Sequence, residues 1–191
     1  DVERSRGLGD VYKRQSFSRS HATATSCAAV TVCCMAEPST PVSSGETWEV
    51  RAFDRADTES VVALWTEAGL TRPWNDPRLD IERKLTVQPE LFLVVEDEER
   101  STSARIIGTV MAGYDGHRGW LYYLATARSH RHQGIARSLV REAERLLLEM
   151  GCPKVQLMVR EGNEEALGFY DDLGYERFSV SNTGRRLIVD A

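Results

Sequence analysis

The apolar run Trp120-Leu121-Tyr122-Tyr123-Leu124-Ala125-Thr126 gives way, across a short polar loop, to the amphipathic run Ile135 to Met150. The passage between them reads Arg131-His132-Gln133-Gly134-Ile135-Ala136. A strand that ends in a polar loop and restarts as a helix behind a glycine points to a layered fold of strands and helices. It is also a way of building an anion site. The first turn of a helix carries N–H groups with no intrahelical partner, and the helix dipole adds partial positive charge there. Gly134 has no side chain to hold a ligand off those donors, while Arg128 and Arg131 bring full charges. A pyrophosphate would fit. The bland alternative is an ordinary helix with a small residue at its start and arginines in a solvated loop.

From Trp48 onward, strand and helix patterns interleave. Trp48 to Phe53 alternates as a first strand, and Asp54 with Asp57 resembles a capping box before the apolar stripe Val61, Leu64, Trp65 and Ala68. Asp76 as cap with Pro77 behind it starts a second, short helix. Leu91 to Glu96 is a near-continuous apolar strand; Arg105 to Tyr114 and Trp120 to Thr126 are the next two, joined by Asp115-Gly116-His117-Arg118-Gly119. A third helix carries Ile135, Leu139, Ala143 and Leu146 and stops at Gly151-Cys152-Pro153. Strand five covers Lys154 to Val159, helix four covers Asn163 to Leu173, and a last strand pair is expected at Glu176 to Val180 and Arg185 to Val189. The class is α/β (α+β), with a mixed sheet.

Composition narrows the function. Of 191 residues, 41 % are hydrophobic and 28 % charged, as in globular proteins, and no apolar run nears the roughly 20 residues that span a bilayer. A net charge of −5 argues against a nucleic-acid surface. Three of the four cysteines, Cys27, Cys33 and Cys34, fall before residue 46, leaving Cys152 alone in the domain. That pattern supports neither a disulfide framework nor a metal site, and it fits a reducing, cytoplasmic setting. Residues 1–45 lack sustained periodicity and read as a leader outside the fold. The stretch from Ser16 to Ala36 has no acidic residue, as in organellar transit segments, whereas Arg4 to Gln15 reads like a translated adapter and Met35 like a start. The domain is expected at 46–191.

Two blocks carry a family resemblance. Arg131, Gly134 and Ala136 match [QR]-x-x-G-x-[GA], the coenzyme-A signature located after the fourth strand in the Gcn5-related N-acetyltransferases, or GNAT family. Asn163, Ala166, Phe169-Tyr170 and Gly174-Tyr175 are similar to a second block of that family, and the runs Arg72 to Pro77, Asp80 to Lys84 and Gly113 to Gly119 resemble its YpeA-type branch. The resemblance implies the acyl-CoA N-acyltransferase fold, whose fourth and fifth strands splay apart to take the pantetheine arm between them. Acetyl-CoA would then pair with the backbone of Leu124, Ala125 and Thr126. Its pyrophosphate would lie on Arg131, His132, Gln133, Gly134, Ile135 and Ala136, and its arm would reach Asn163. Asn163 also reads as a plain helix cap.

Acetyl transfer to an amine needs a polarised thioester carbonyl, a neutral amine and a proton for the leaving thiolate. Tyr170 matches the family's proton donor, and a phenol with a reference pKa of about 10 suits that task; packing on the sheet is the competing role. Some ribosomal-type relatives carry a glutamate on strand five where this chain has Met158, so the amine proton leaves either by a water chain or to another base, with Glu96, Asp115 and His117 as candidates. The loop Trp74-Asn75-Asp76 is expected to border the acceptor, or else to be a rigid turn with a buried Trp and a helix cap. The expectation is a direct, metal-free transfer from acetyl-CoA to a small-molecule or peptide amine, by a monomer or homodimer. A catalytically silent acyl-CoA-binding module and a ribosomal-type N-terminal acetyltransferase are the alternatives.

Overall fold

Side chains set the helix starts, and through them the order of the layers. Asp54 accepts from the Ala56 N–H and forms a reciprocal capping box with Asp57, opening a short 3-10 turn that runs into α1 (Thr58–Glu67). Asp76 accepts from the Arg78 N–H ahead of Pro77 and starts α2 (Pro77–Leu85). Asn163 caps α4 (Glu164–Asp172) through Ala166. The remaining helix, α3 (Ile135–Glu149), starts on Gly134 with no side-chain cap.

The computed structural model describes residues 48–100, 104–188 and 190, so the leader expected at 1–45 lies outside the described residues. The strands are β1 (Val50–Ala52), β2 (Phe92–Glu96), β3 (Ile106–Tyr114), β4 (Gly119–Thr126) and β5 (Val155–Gln156), and they lie side by side in chain order. The first three junctions are antiparallel, and β4 pairs with β5 in parallel across the α3 crossover. The sheet is therefore mixed.

Neighbouring residues of β3 show which helix covers which face. The Trp65 indole of α1 donates to Thr109 Oγ1 at 3.0 Å, whereas a Cβ on Gly108 would sit 2.5 Å from Ile135 Cγ2 of α3. Successive strand residues point to opposite faces, so α1 and α3 sandwich the sheet, and glycine at 108 is what lets α3 approach. Ile135, Leu139, Val140, Ala143 and Leu147 form the buried stripe of α3, and Val61, Leu64 and Trp65 that of α1.

Two expectations need correction. Strand five is two residues long, not six, and the segment from Glu176 to Ile188 forms no strand, while Val189 lies outside the described residues. Backbone pairing needs a neighbour with free edge groups and an apolar face to bury. Here Phe178 and Val180 remain exposed, and the segment is held by side chains instead: Arg177 on Asp171, Lys154 over the Phe178 ring at 3.9 Å, and Arg186 on the Trp74 carbonyl at 2.5 Å.

Candidate active site

The β4–β5 ladder consists of Gly119 opposite Val155 and Trp120 opposite Gln156, and it stops there. From Leu121 to Thr126 the outer edge of β4 has no β5 partner, which is the splay expected from the resemblance. Thr126 Oγ1 is buried with no hydrogen-bond partner, the one such side-chain atom among the described residues. An orphaned buried hydroxyl is costly unless something meets it. Leu124 is half-buried and Ala125 buried.

Just beyond Thr126 lies the loop into α3. His132 and Gly134 are left-handed, at φ 62° and 86°, and a side chain on Gly134 would meet open space. Gln133 is tied at both ends: its carbonyl accepts from the Trp48 indole at 3.1 Å and its amide donates to the Ser129 carbonyl at 3.3 Å. The loop thus brings Arg131 to Ala136 to the open end of the splay, with the first-turn N–H groups of α3 uncapped. Ile135 turns its side chain into the core, which leaves its backbone for a ligand. Arg131 stands 3.7 Å from Glu165 at the start of α4, so the loop before α3 meets the start of α4. Arg128 is different: its guanidinium turns to the Glu67 carbonyl at 3.4 Å, away from the loop.

Tyr170 is buried on α4 between Phe169 and Tyr175, with ring centroids 5.1 and 5.3 Å away. Burial pushes its phenol up to about 12, so at neutral pH it keeps its proton. Asn163 is exposed, with its Oδ1 accepting from Ala166, so its side chain is already at work as a cap.

Two of the three base candidates are engaged by donors and the third is exposed. Glu96 is taken by Arg51 and Arg105. Asp115 accepts from the Arg118 N–H, the Trp120 indole and the His117 N–H, which together hold it down to about 2. His117 is exposed in the turn before β4, at the opposite end of that strand from Thr126. Met158 lies just past β5 and is 57 % exposed.

The loop before α2 divides between its two readings. Asp76 is the cap of that helix. Trp74 is 54 % exposed, which overturns the buried-Trp expectation and leaves its ring free to meet an acceptor. Asn75 points inward and donates to the Tyr123 hydroxyl at 3.1 Å.

Sequence reasoning missed what surrounds that hydroxyl. Thr109 pairs with Ala125 and Met111 with Tyr122, so Tyr123 and Leu124 together oppose Val110, a β-bulge. Tyr123 is left-handed there, at φ 50°, a conformation costing a bulky residue about 1–3 kcal/mol. Its carbonyl accepts from Thr109 Oγ1 at 2.9 Å, its ring stacks on Trp65 at 4.0 Å, and its hydroxyl donates to Asp80 Oδ2 at 2.5 Å. In the sequence Tyr123 is one more strand aromatic and Asp80 one more first-turn acid of a helix; no local signal links them.

Among the described residues no group of three or more His, Cys, Asp or Glu is placed to hold a metal, and no helix is long and apolar enough to cross a membrane.

A mixed sheet parted beside an uncapped helix start, with helices on both faces, is the architecture of an acyltransferase. The pattern of the acetyltransferase (GNAT) family matches residues 54–175, and the chain belongs to that family. It is 49 % identical over 142 residues to acetyltransferase YE1169 of Yersinia enterocolitica, covering 74 % of this chain and 97 % of the relative. It is 48 % identical over the same length and shares to acetyltransferase ECA0875 of Pectobacterium atrosepticum. Among solved structures, the NatC complex bound to Gag peptide and CoA is similar at a TM-score of 0.59 and 25 % identity, over 69 % of this chain and 86 % of that one. Ard1 of Thermoplasma volcanium is similar at a TM-score of 0.57 and 25 % identity, over 69 % and 84 %. The protein is an acetyltransferase.

Proposed function

We propose that the chain transfers the acetyl group of acetyl-CoA directly to a primary amine of a small-molecule or peptide acceptor, within a ternary complex and through the domain 46–191. The observation that carries this reading is the parting of β4 from β5 after Trp120 and Gln156, next to the uncapped start of α3. The backbone of β4 from Leu121 to Thr126 supports it, since its outer N–H and C=O groups have no β5 partner. CoA in the similar NatC structure is consistent with the same ligand.

Bound acetyl-CoA supplies the activated acetyl thioester. The backbone of Leu124 to Thr126 holds the arm, and the N–H groups from Gln133 to Ala136 hold the pyrophosphate. The amine attacks the thioester carbon and gives its proton to water, while Tyr170 Oη, which keeps its proton through the neutral range, would deliver it to the departing sulfur. Cys152 is buried, with its thiol on the Lys154 carbonyl at 3.3 Å, so it is no acyl carrier and transfer is direct. Exposed Trp74 borders the acceptor. A second reading, a silent acyl-CoA-binding module, draws on one observation: Glu96 and Asp115 are both occupied by donors and neither is free as a base.

Purified protein supplied with acetyl-CoA and pools of amines, amino acids and peptides should release free CoA thiol with at least one pool. Coenzyme binding without thiol release from any pool would favour the silent module. Absence of acetyl-CoA binding by calorimetry would overturn both.

A further inference from the structure

Asp80 does not look like a base. Its Oδ2 accepts from the Tyr123 hydroxyl and from the Asn75 amide, and its Oδ1 accepts from Arg83 at 3.0 Å. Three donors from three side chains converge on this one carboxylate and fix it in place. Nor is Tyr123 available for acid–base work, because burial first, and then the Asp80 hydrogen bond and charge, push its phenol far above its usual range. What the cluster does is mechanical. It reaches from α2 to the one left-handed residue inside β4, while Trp65 of α1 and Thr109 of β3 grip the same residue by ring and carbonyl. Three elements therefore converge on a conformation that a tyrosine does not adopt unaided.

The position of Tyr123 in the strand gives that grip its importance. The bulge takes Tyr123 and Leu124 out of register with β3, immediately before the stretch 124–126 on the open edge. Rotating the Tyr123 peptide back to an ordinary strand conformation would re-aim the Leu124 N–H and shift every residue after it.

We propose that Asp80 and Tyr123 are positioning residues for acetyl transfer: the Asp80 carboxylate pins the Tyr123 phenol, which holds the β4 bulge so that the Leu124 N–H meets the thioester carbonyl of acetyl-CoA. This rests on the proposed coenzyme site, because it takes the acyl end of the arm to lie at the bulge. Asn75 is the second anchor of the phenol, which gives the loop before α2 a role in aiming the donor besides any role toward the acceptor.

The pair acts on the acyl group and not on the rest of the coenzyme, so acetyl-CoA and free CoA separate it from a general structural role. Tyr123→Phe removes only the hydroxyl and keeps the ring on Trp65; Asp80→Asn keeps an acceptor for the phenol but loses the charge that Arg83 and the phenol share. In both variants we expect acetyl-CoA affinity by calorimetry to fall about fivefold or more while free CoA affinity stays within about twofold. Amide exchange at Leu124 and Ala125 should quicken about tenfold without a matching change elsewhere in the sheet, and the double variant should lose no more than the worse single one. Unchanged acetyl-CoA affinity and unchanged exchange in both single variants would overturn the pairing while leaving the coenzyme site intact. Equal losses for acetyl-CoA and free CoA would also overturn it, as general damage to the site. If the parent protein binds neither ligand, the coenzyme site fails and this inference with it.

Discussion

Tyr170 shows how one side chain's packing and chemistry are separated. Its ring is wedged between Phe169 and Tyr175, so Tyr170→Phe keeps the packing and deletes only the proton. Coenzyme affinity should therefore hold, while single-turnover transfer slows by about 10²–10⁴-fold, the usual worth of a general acid. A wild-type single-turnover rate in that variant would make Tyr170 a packing residue. The same phenol leaves a mark on stability. Its folded pKa of about 12 lies above its unfolded value, so the contribution is complete below pH 10 and lost as pH rises toward 12. Between pH 9 and pH 11 the parent should lose about 1.4 kcal/mol relative to Tyr170→Phe in denaturant unfolding. A constant difference across that window would mean the phenol is solvated.

At the level of elements, the start of α3 is the part on which the proposed coenzyme site depends. Gly134 combines a left-handed backbone with open space where a side chain would stand. Gly134→Glu should weaken acetyl-CoA binding by about tenfold or more, because it fills the approach to the first-turn N–H groups and opposes the phosphates. Gly134→Asn, which tolerates the left-handed backbone, should lose much less, and calorimetry on the pair separates blocked approach from backbone strain. Equal affinity of the Glu variant and the parent would remove the pyrophosphate from this loop.

On the scale of the molecule, Asp57 joins the sheet to α1. It is fully buried and receives Arg51 of β1 at 2.7 Å, Arg105 beside β3 at 3.0 Å and the Asp54 N–H at 2.9 Å. Burial pushes its carboxyl up, but those donors outweigh it and hold it below the usual range, so its contribution is present at neutral pH and lost as pH falls through the folded value. Asp57→Ala should cost about 1–3 kcal/mol by thermal or denaturant unfolding, because two part-exposed guanidinium groups lose a shared partner and keep Glu96. Removing residues 1–45 should leave the melting temperature within about 2 °C, since that segment lacks the periodic apolar pattern of a docking element; a clear loss would move the domain boundary. The element order through α4, the glycine that opens α3 and the caps at Asp54, Asp76 and Asn163 were legible in the sequence. They rest on local rules: periodicity, cap chemistry and backbone freedom act over a few residues. The same locality explains the failures. Whether Lys154 to Val159 and Glu176 to Val180 pair as strands depends on edges supplied from elsewhere, and Arg128 turns to α1 because Glu67 happens to stand there. The β4 bulge and its grip by Trp65, Thr109, Asn75 and Asp80 join residues 14 to 58 positions apart from Tyr123. Such contacts exist only once the sheet and both helical layers have closed, so tertiary structure alone decided the conformation of β4 beside its open edge.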